Sequence, residues 1–409
     1  MSPSSERTNP PIWRLTLLLA GLSMFGPFSI DAFFPAFRHI AMQFGVDKTA
    51  MQQTISVYLL AFALMSVVHG PLSDAFGRRR VILAGLVTFT GATIGCALAG
   101  DMSTLLIFRA LQGMSAGVGM IVGRAAIRDL FQGQEAQRLM SRVTMIFGIA
   151  PAIAPIVGGW LLGLGWGWAM IFWVLAGFTL LLLASCVCWF PETLPESSRT
   201  RLRPGSLLQD YSRIGLDPRF QRLAGACACN FGGIFLYIAS APEFVQGILR
   251  LNEQQFGWLF IPLIGGMTLG AFLSSRLAGR VSVATQLRFG FSCTGIGAVC
   301  NFLYSVWAPA ATVPWAILPI AVMGVGVSLI FPVLTLMILD LYPQQRGTVS
   351  SSQAFTQLVL NAAIAGLLSP LLQHRGLYLA LGSGCFLLLG WMLWQWDRRA
   401  VPLPVSDSR

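Results

Sequence analysis

The chain has 409 residues, of which 55% are hydrophobic and only 11% charged. A soluble domain carries roughly 25% charged residues, so the composition excludes one. The net charge of +11 has a topological origin, set out below, and is not read as a nucleic-acid-binding surface.

Taken in order, the chain begins with a polar, Pro-rich stretch, MSPSSERTNPPIW. The apolar run after it is too long for a signal-peptide core and lacks a small-residue cleavage site, so it reads as an uncleaved first span. About 20 consecutive apolar residues cross a bilayer. Runs of that kind place twelve helical spans at 13–37, 49–71, 81–99, 103–124, 139–162, 168–190, 221–244, 254–276, 286–307, 314–338, 349–372 and 376–396. The runs are continuous rather than alternating, which argues against a β-barrel. The expected class is an all-α polytopic membrane protein whose short connections make neighbouring helices antiparallel.

With the N-terminus in the cytoplasm, 22 of the 27 basic residues fall on cytoplasmic segments, four on outer segments, and one, Arg109, inside a span. Cytoplasmic loops are enriched in Lys and Arg. The bias therefore supports an even number of spans, with both termini cytoplasmic. One long polar connection, 191–220, divides the chain. The expected units are a six-helix bundle at 1–190, a cytoplasmic linker at 191–220 and a second six-helix bundle at 221–409. GPLSDAFGRR after span 2 and GAFLSSRLAGR after span 8 are faint copies at equivalent places, which suits a fold of two similar halves.

Three stretches carry a family resemblance. GPLSDAFGRRR (70–80) resembles the Gly-x-Leu-x-Asp-x-x-Gly-Arg-Arg signature of the major facilitator superfamily. LLIFRALQGMSAG (105–117) resembles its fourth-span motif with a buried Arg. APAIAPIVGGW (150–160) resembles the fifth-span motif of its drug:proton antiporters, with Pro155, Gly158 and Gly159 fitting and Ala150 and Ala154 standing where glycines occur. PFSIDAFFPAF, the PET at 191–193 and QQRGTVSS at 344–351 are similar to the Bcr/CflA type of drug exporter. The resemblance implies twelve transmembrane helices in two pseudo-symmetric bundles. It also implies a monomer in a bacterial inner membrane that exchanges protons for small amphipathic compounds and takes no cofactor.

The segment 70–80 offers more than anchoring charge. Gly70 permits close approach of a neighbouring helix and Gly77 a tight turn. Asp74 can accept hydrogen bonds at a helix N-terminus, which the resemblance identifies as that of span 11, with Ser350 as its expected cap. Arg78 or Arg79 can pair with Asp129. These six residues are expected to form a gate on the inner side. Arg80 reads as a topology anchor.

Asp31 and Arg109 are the sharpest signal, because ionisable residues inside spans are costly. Each lies six residues from the outer end of its span, roughly 9 Å deep at ~1.5 Å per residue. At equal depth they can pair, directly or through water. One reading is a structural ion pair; the other is a proton site in which desolvation and the neighbouring cation compete. The resemblance lends Arg109 a coupling role and, less firmly, lends Asp31 a protonatable one. Some relatives carry a second acid where this chain has Ser23.

Tyr58, Gln112, Asn230, Tyr237, Gln357 and Asn361 are polar residues within spans. Each either lines a central cavity or bonds a neighbouring helix. Glu243 is either an interfacial residue or part of an outer vestibule. Gly113, Gly117 and Gly123 read as packing stripes, and Pro151 and Pro155 are expected to bend span 5, beside Gly158 and Gly159. His39, His69 and His374 lie near span ends and receive no role. The eight cysteines sit in apolar runs without ligand spacing, so no metal site is expected. No nucleotide-binding loop or catalytic constellation is present, so the chain is not read as an enzyme. The alternative function is a proton-coupled uptake symporter on the same fold.

Overall fold

The computed structural model describes residues 12–131, 133–200, 204–308 and 310–400. Arg7, Arg201, Arg203 and Arg409 of the charge count lie outside them. The described residues form helices and turns, with no strand. The first half comprises α1 (Ile12–Asp31), a short amphipathic α2 (Phe37–Phe44), α3 (Lys48–Phe76), α4 (Arg78–Ala97), α5 (Met102–Leu130), α6 (Gly133–Gly163) and α7 (Ala169–Trp189). A connecting helix α8 (Pro204–Gly215) follows. The second half comprises α9 (Pro218–Ala239), α10 (Gly257–Leu277), α11 (Val283–Trp307), α12 (Leu318–Leu341), α13 (Arg346–Ala363), α14 (Ser369–Leu372) and α15 (Gly376–Ala400).

Among the described residues, eleven segments are long and apolar enough to cross a membrane. The remaining expected span lies in α6, whose apolar stretch is the shorter Gly148–Gly163. Its first turns carry Glu135, Arg138 and Arg142, which take the helix out of the hydrocarbon. Asp side chains start several helices by accepting a backbone N–H. Asp47 takes that of Ala50 at 2.7 Å and Asp101 that of Thr104 at 2.8 Å. Such caps satisfy donors that a helix start leaves unpaired.

Three boundaries differ from the sequence expectation, each for a local reason. Span 1 stops at Asp31, turns through 34–36 and resumes as α2, which Gly45 closes in the left-handed region (φ 64°). The stretch 70–80 is hardly a loop at all. Helix α3 runs to Phe76, α4 starts at Arg78, and Gly77 alone makes the reversal at φ 95°. Span 11 changes pitch, with a π-helical turn at Ile364–Leu368 between α13 and α14.

Residue 77 and its neighbours define one end of the bundle, here the basic end. The opposite, far end carries the connections near 45–47, 98–101, 164–168, 240–256 and 373–375. Helix α3 packs against α5 within its own half and against α13 across the seam, and α6 meets α10. The seam between halves therefore runs along α3, α6, α10 and α13.

Candidate functional site

Arg109 is completely buried in the first half. Its position on α5 turns the guanidinium into the space between α1 and α3. Nη1 donates to Gln112 Oε1 at 2.8 Å and to the Ser29 carbonyl at 3.3 Å, and Nε donates to the Thr54 carbonyl at 3.4 Å. The cation lies 4.4 Å from the Tyr58 ring centroid and 5.2 Å from that of Phe33, within the range where a ring face attracts a cation. Gln112 is fixed in turn by donating to Thr93 Oγ1 at 2.8 Å. Tyr58 donates to the Gly26 carbonyl at 2.9 Å, and its oxygen lies 3.0 Å from Ser29 Oγ. Of the three guanidinium nitrogens, Nη2 has no partner among the described residues.

The expected pairing of Asp31 with Arg109 is not made. Asp31 is buried, at the last residue of α1, and its side chain forms no ion pair or hydrogen bond among the described residues. The break after Asp31 is the physical reason: the depth argument assumed one straight helix to residue 37. Arg109 lies over the Tyr58 ring, and Asp31 has no side-chain bond to that cluster among the described residues. The result is a buried cation held by neutral dipoles and rings, with a buried acid nearby but unattached.

At the basic end, Arg78 is the hub. Its Nε meets Asp129 Oδ2 at 3.0 Å and its Nη1 meets Asp74 and donates to Ser73 Oγ at 2.6 Å. Its backbone N–H donates to Glu192 Oε1 at 2.9 Å, and Thr193 Oγ1 donates to Asp129 Oδ2 at 3.0 Å. A Cβ at Gly77 would collide with the Glu192 carboxylate, so the glycine serves the contact as well as the turn. Arg79 instead donates to the Val187 carbonyl at 2.6 Å. Asp74 does not reach α13, which starts after Gln345 with no side-chain cap, so Ser350 is not its N-cap. Nothing lies within 4 Å of a Cβ built on Gly70. Among the described residues the inter-half contact expected of this segment is therefore absent; its contacts run to Asp129 and Val187 in the first half and to Glu192 at the start of the linker.

The side-chain bonds that cross directly between the halves cluster at the far end. Gln52 donates to the Ala239 carbonyl at 3.0 Å and to Gln373 Oε1 at 3.2 Å. Gln53 donates to the Gly366 carbonyl at 3.0 Å and Ser56 to the Ala362 carbonyl at 2.9 Å. The Ala362 and Gly366 acceptors flank and lie within the π-helical turn of span 11, respectively. Lys48 pairs with Glu243 at 2.7 Å, so Glu243 belongs to a closed seam and its charge is already matched. The backbones of Ala32 and Glu253 leave no room for a Cβ at Gly158 and Gly159 respectively. These adjacent glycines thus let α6 touch its own half and the other half at once. Pro151 and Pro155 sit inside α6, which continues as one helix through both. At the basic end the described link is indirect, through α8: Tyr211 donates to the Val67 carbonyl at 2.9 Å, and Gln345 donates to Asp210 at 3.3 Å.

The residues expected around a cavity separate into groups. Tyr58 and Gln112 belong to the Arg109 cluster. Tyr237 is buried in the second half and accepts from Asn301 Nδ2 at 2.7 Å. Gln357 bonds Asn361 at 3.2 Å and the Ala228 carbonyl at 3.4 Å, at the contact of α13 with α9. Asn230 is buried with its Oδ1 unpartnered.

The family profile described as Major Facilitator Superfamily matches residues 16–366. The chain belongs to the major facilitator superfamily. It is 27% identical over 383 residues to Multidrug resistance protein D of Escherichia coli (strain K12), covering 92% of this chain and 95% of that one. It is 28% identical over 291 residues to a bicyclomycin resistance protein homologue of Haemophilus influenzae (strain Rd), covering 71% of each. The fold is also that of a bacterial homologue of the human lysosomal transporter Spinster, solved inward-facing and unoccupied. That match has a TM-score of 0.71 and 16% identity over 95% of this chain and 96% of that one. As a major facilitator the protein is a multi-pass membrane transporter of small molecules and not an enzyme, and its resemblance to the Bcr/CflA type of drug:proton antiporter holds.

For this major facilitator, the sequence did not reveal Ser29, Thr54 and Thr93 as the hydrogen-bond shell of Arg109, or Glu192 as the clasp on Arg78. It also missed Asp397, buried on α15 and paired with Arg222 at 3.2 Å and Arg219 at 3.7 Å. An acid among the last apolar residues of a span, with two arginines opening another, was the available signal.

Proposed function

We propose that the protein exports small amphipathic compounds, drugs among them, in exchange for protons, and that it resides in a bacterial inner membrane. The basic end and both termini face the cytoplasm by the positive-inside rule. The halves on either side of the linker 191–220 rock about the seam, so the conformation described, bonded at its far end, is closed to the outside. Asp74 docks on the start of α13, and α13 closes over Gly70, when the basic end shuts instead.

The observation that carries this reading is the separation of Asp31 from Arg109. Opposite charges buried in a low-dielectric bundle are tolerated when paired, or when the acid is neutral. Held apart, Asp31 is available to a proton and Arg109 is satisfied by dipoles. A shift of α1 against α5 that brings Asp31 to the unpartnered Nη2 expels that proton. Coupling follows if substrate favours the shifted arrangement, since a ligand moves an equilibrium only by its differential affinity. Gln357, Asn361 and Asn230, beside the seam, are the candidate substrate contacts. Glu243 contributes to far-end closure.

The test uses everted vesicles with an acidified lumen and two probes, bicyclomycin and ethidium. Adding a transported probe alkalinises the lumen. In an efflux-deficient host, Asp31→Asn and Arg109→Ala each abolish resistance while the protein still reaches the membrane. An unchanged luminal pH during transport favours uptake symport or another coupling ion, and full resistance with Asp31→Asn removes that residue from the proton route.

A further inference from the structure

At the far end, between the halves, lies a cavity of about 640 Å³. Sites for drug-sized molecules enclose roughly 300–1,000 Å³. One wall is α2 with the start of α3. The other is the π-helical turn Glu243–Ile248 of the second half, with Gln373 beside it. Arg38, Met42, Asp47 and Lys48 are exposed around the mouth, whereas Gln52 and Gln373 are buried at the floor. The cavity therefore opens to solution and ends on an amide pair.

Four charged side chains border it, and three are already committed. Lys48 pairs with Glu243 at 2.7 Å. Asp47 accepts the Ala50 N–H at 2.7 Å as the cap of α3. Arg38 has no ion pair or hydrogen bond among the described residues, so its guanidinium is the one unmatched charge at the mouth. A guanidinium presents a planar fork of donors that suits a two-oxygen anion. Phe37, Ala41, Val46, Met51 and Pro242 make the rest of the wall apolar. Met42 stands exposed among them, and its flexible thioether adapts to varied apolar shapes.

The cavity depends on the closed seam. Three side-chain contacts between the halves use residues that line it: Lys48 to Glu243, Gln52 to Gln373 at 3.2 Å, and Gln246 to the Pro35 carbonyl at 3.4 Å. Separating the halves at this end breaks all three and takes the walls apart. A molecule held here binds one arrangement of the halves and shifts the balance towards it.

We propose that the far-end cavity binds small amphipathic organic anions, carboxylates or sulfonates with an apolar body, and that occupancy holds the protein closed at this end. The anion meets Arg38, and the body lies between α2 and Pro242. An anion in the outer medium then slows transport without entering the seam. Binding stands on the geometry of the cavity; the side from which the anion acts rests on the membrane orientation proposed above.

The experiment titrates full-length protein in neutral detergent with naphthalene sulfonate and with naphthalene methanol, which shares the rings and lacks the charge. By calorimetry, wild type binds the sulfonate about tenfold more tightly, the weight of one charge-assisted contact. Arg38→Gln loses that preference and Arg38→Lys keeps most of it. Ala41→Trp, which fills the cavity, abolishes binding of both while circular dichroism shows the helices intact. In right-side-out vesicles, sulfonate outside slows transport of whichever of bicyclomycin or ethidium the wild type carries, and leaves Arg38→Gln unaffected. Equal affinity of wild type and Arg38→Gln for the sulfonate overturns the inference, as does binding that survives Ala41→Trp. Binding at Arg38 that leaves transport unchanged from both sides overturns the hold on closure. Inhibition from the basic side alone, with its Arg38 dependence intact, overturns the orientation and not the site.

Discussion

The two halves place charge differently. In the first, a guanidinium sits in the middle of the bundle, with an acid close by and unpaired. In the second, the comparable interior holds a neutral pair, Tyr237 and Asn301. Its buried charge, Asp397, stands at a helix end with two arginines for company. A paired charge at the end of a bundle stabilises one arrangement. An unpaired charge at its centre, next to an acid that can be neutralised, permits two. On the proposed function, proton coupling lies in the first half, and the second half shapes the seam and meets substrate.

The largest expected effect is on Arg109. Arg109→Ala removes the cation that the exchange of protons requires and leaves the buried Gln112 acceptor unpaired, which costs roughly 1–3 kcal/mol, and net efflux is lost while the protein still reaches the membrane. Arg109→Lys does not rescue it, because an ammonium cannot reproduce the fork that holds Gln112 and two carbonyls. Near-normal efflux from Arg109→Lys in a vesicle assay breaks the assignment. Next comes Asp397→Asn, which strands Arg219 and Arg222. Thermal unfolding in detergent shows a stability loss of about 3 kcal/mol, while the number of protons moved per substrate is unchanged. A changed proton ratio erases the contrast between halves.

A smaller effect follows from Tyr237→Phe, which deletes one neutral hydrogen bond worth about 1 kcal/mol. Substrate affinity or stability shifts a fewfold, and coupling stays intact. The smallest is pH-dependent and lies outside the spans. Burial tends to raise the pKa of Asp217. Hydrogen bonds from Tyr342 and from the backbone N–H groups of Arg219 and Phe220, together with Arg222, outweigh this and hold it below the usual carboxylate value. A depressed pKa contributes stability that is present above the unfolded value and lost as pH falls through the folded one. The gap in melting temperature between wild type and Tyr342→Phe is therefore open at neutral pH. It closes as the pH drops below the carboxylate range. A gap that widens on acidification contradicts the assignment.

Much of this was legible in the sequence. Apolar runs gave the spans to within a few residues, since burial in lipid leaves little choice but helices. Asp31 and Arg109 stood out because charges in such runs are expensive. Their relation did not, because it depends on the break after Asp31 and on Ser29, Thr54 and Thr93, ordinary residues until three helices converge. The turn at Gly77 was foreseen; the clasp by Glu192 was not, because it joins residues 114 positions apart. The conformation itself was out of reach. The bonds that define it, such as Gln52 to Ala239, join residues 187 positions apart.

The central claim is that Asp31 holds a proton while apart from Arg109 and gives it up when substrate is bound. Purified protein in weakly buffered detergent solution, mixed with a transported drug, reports this directly through proton release. Wild type is predicted to release protons on binding, and Asp31→Asn to bind drug and release none. Undiminished release from Asp31→Asn would contradict the account.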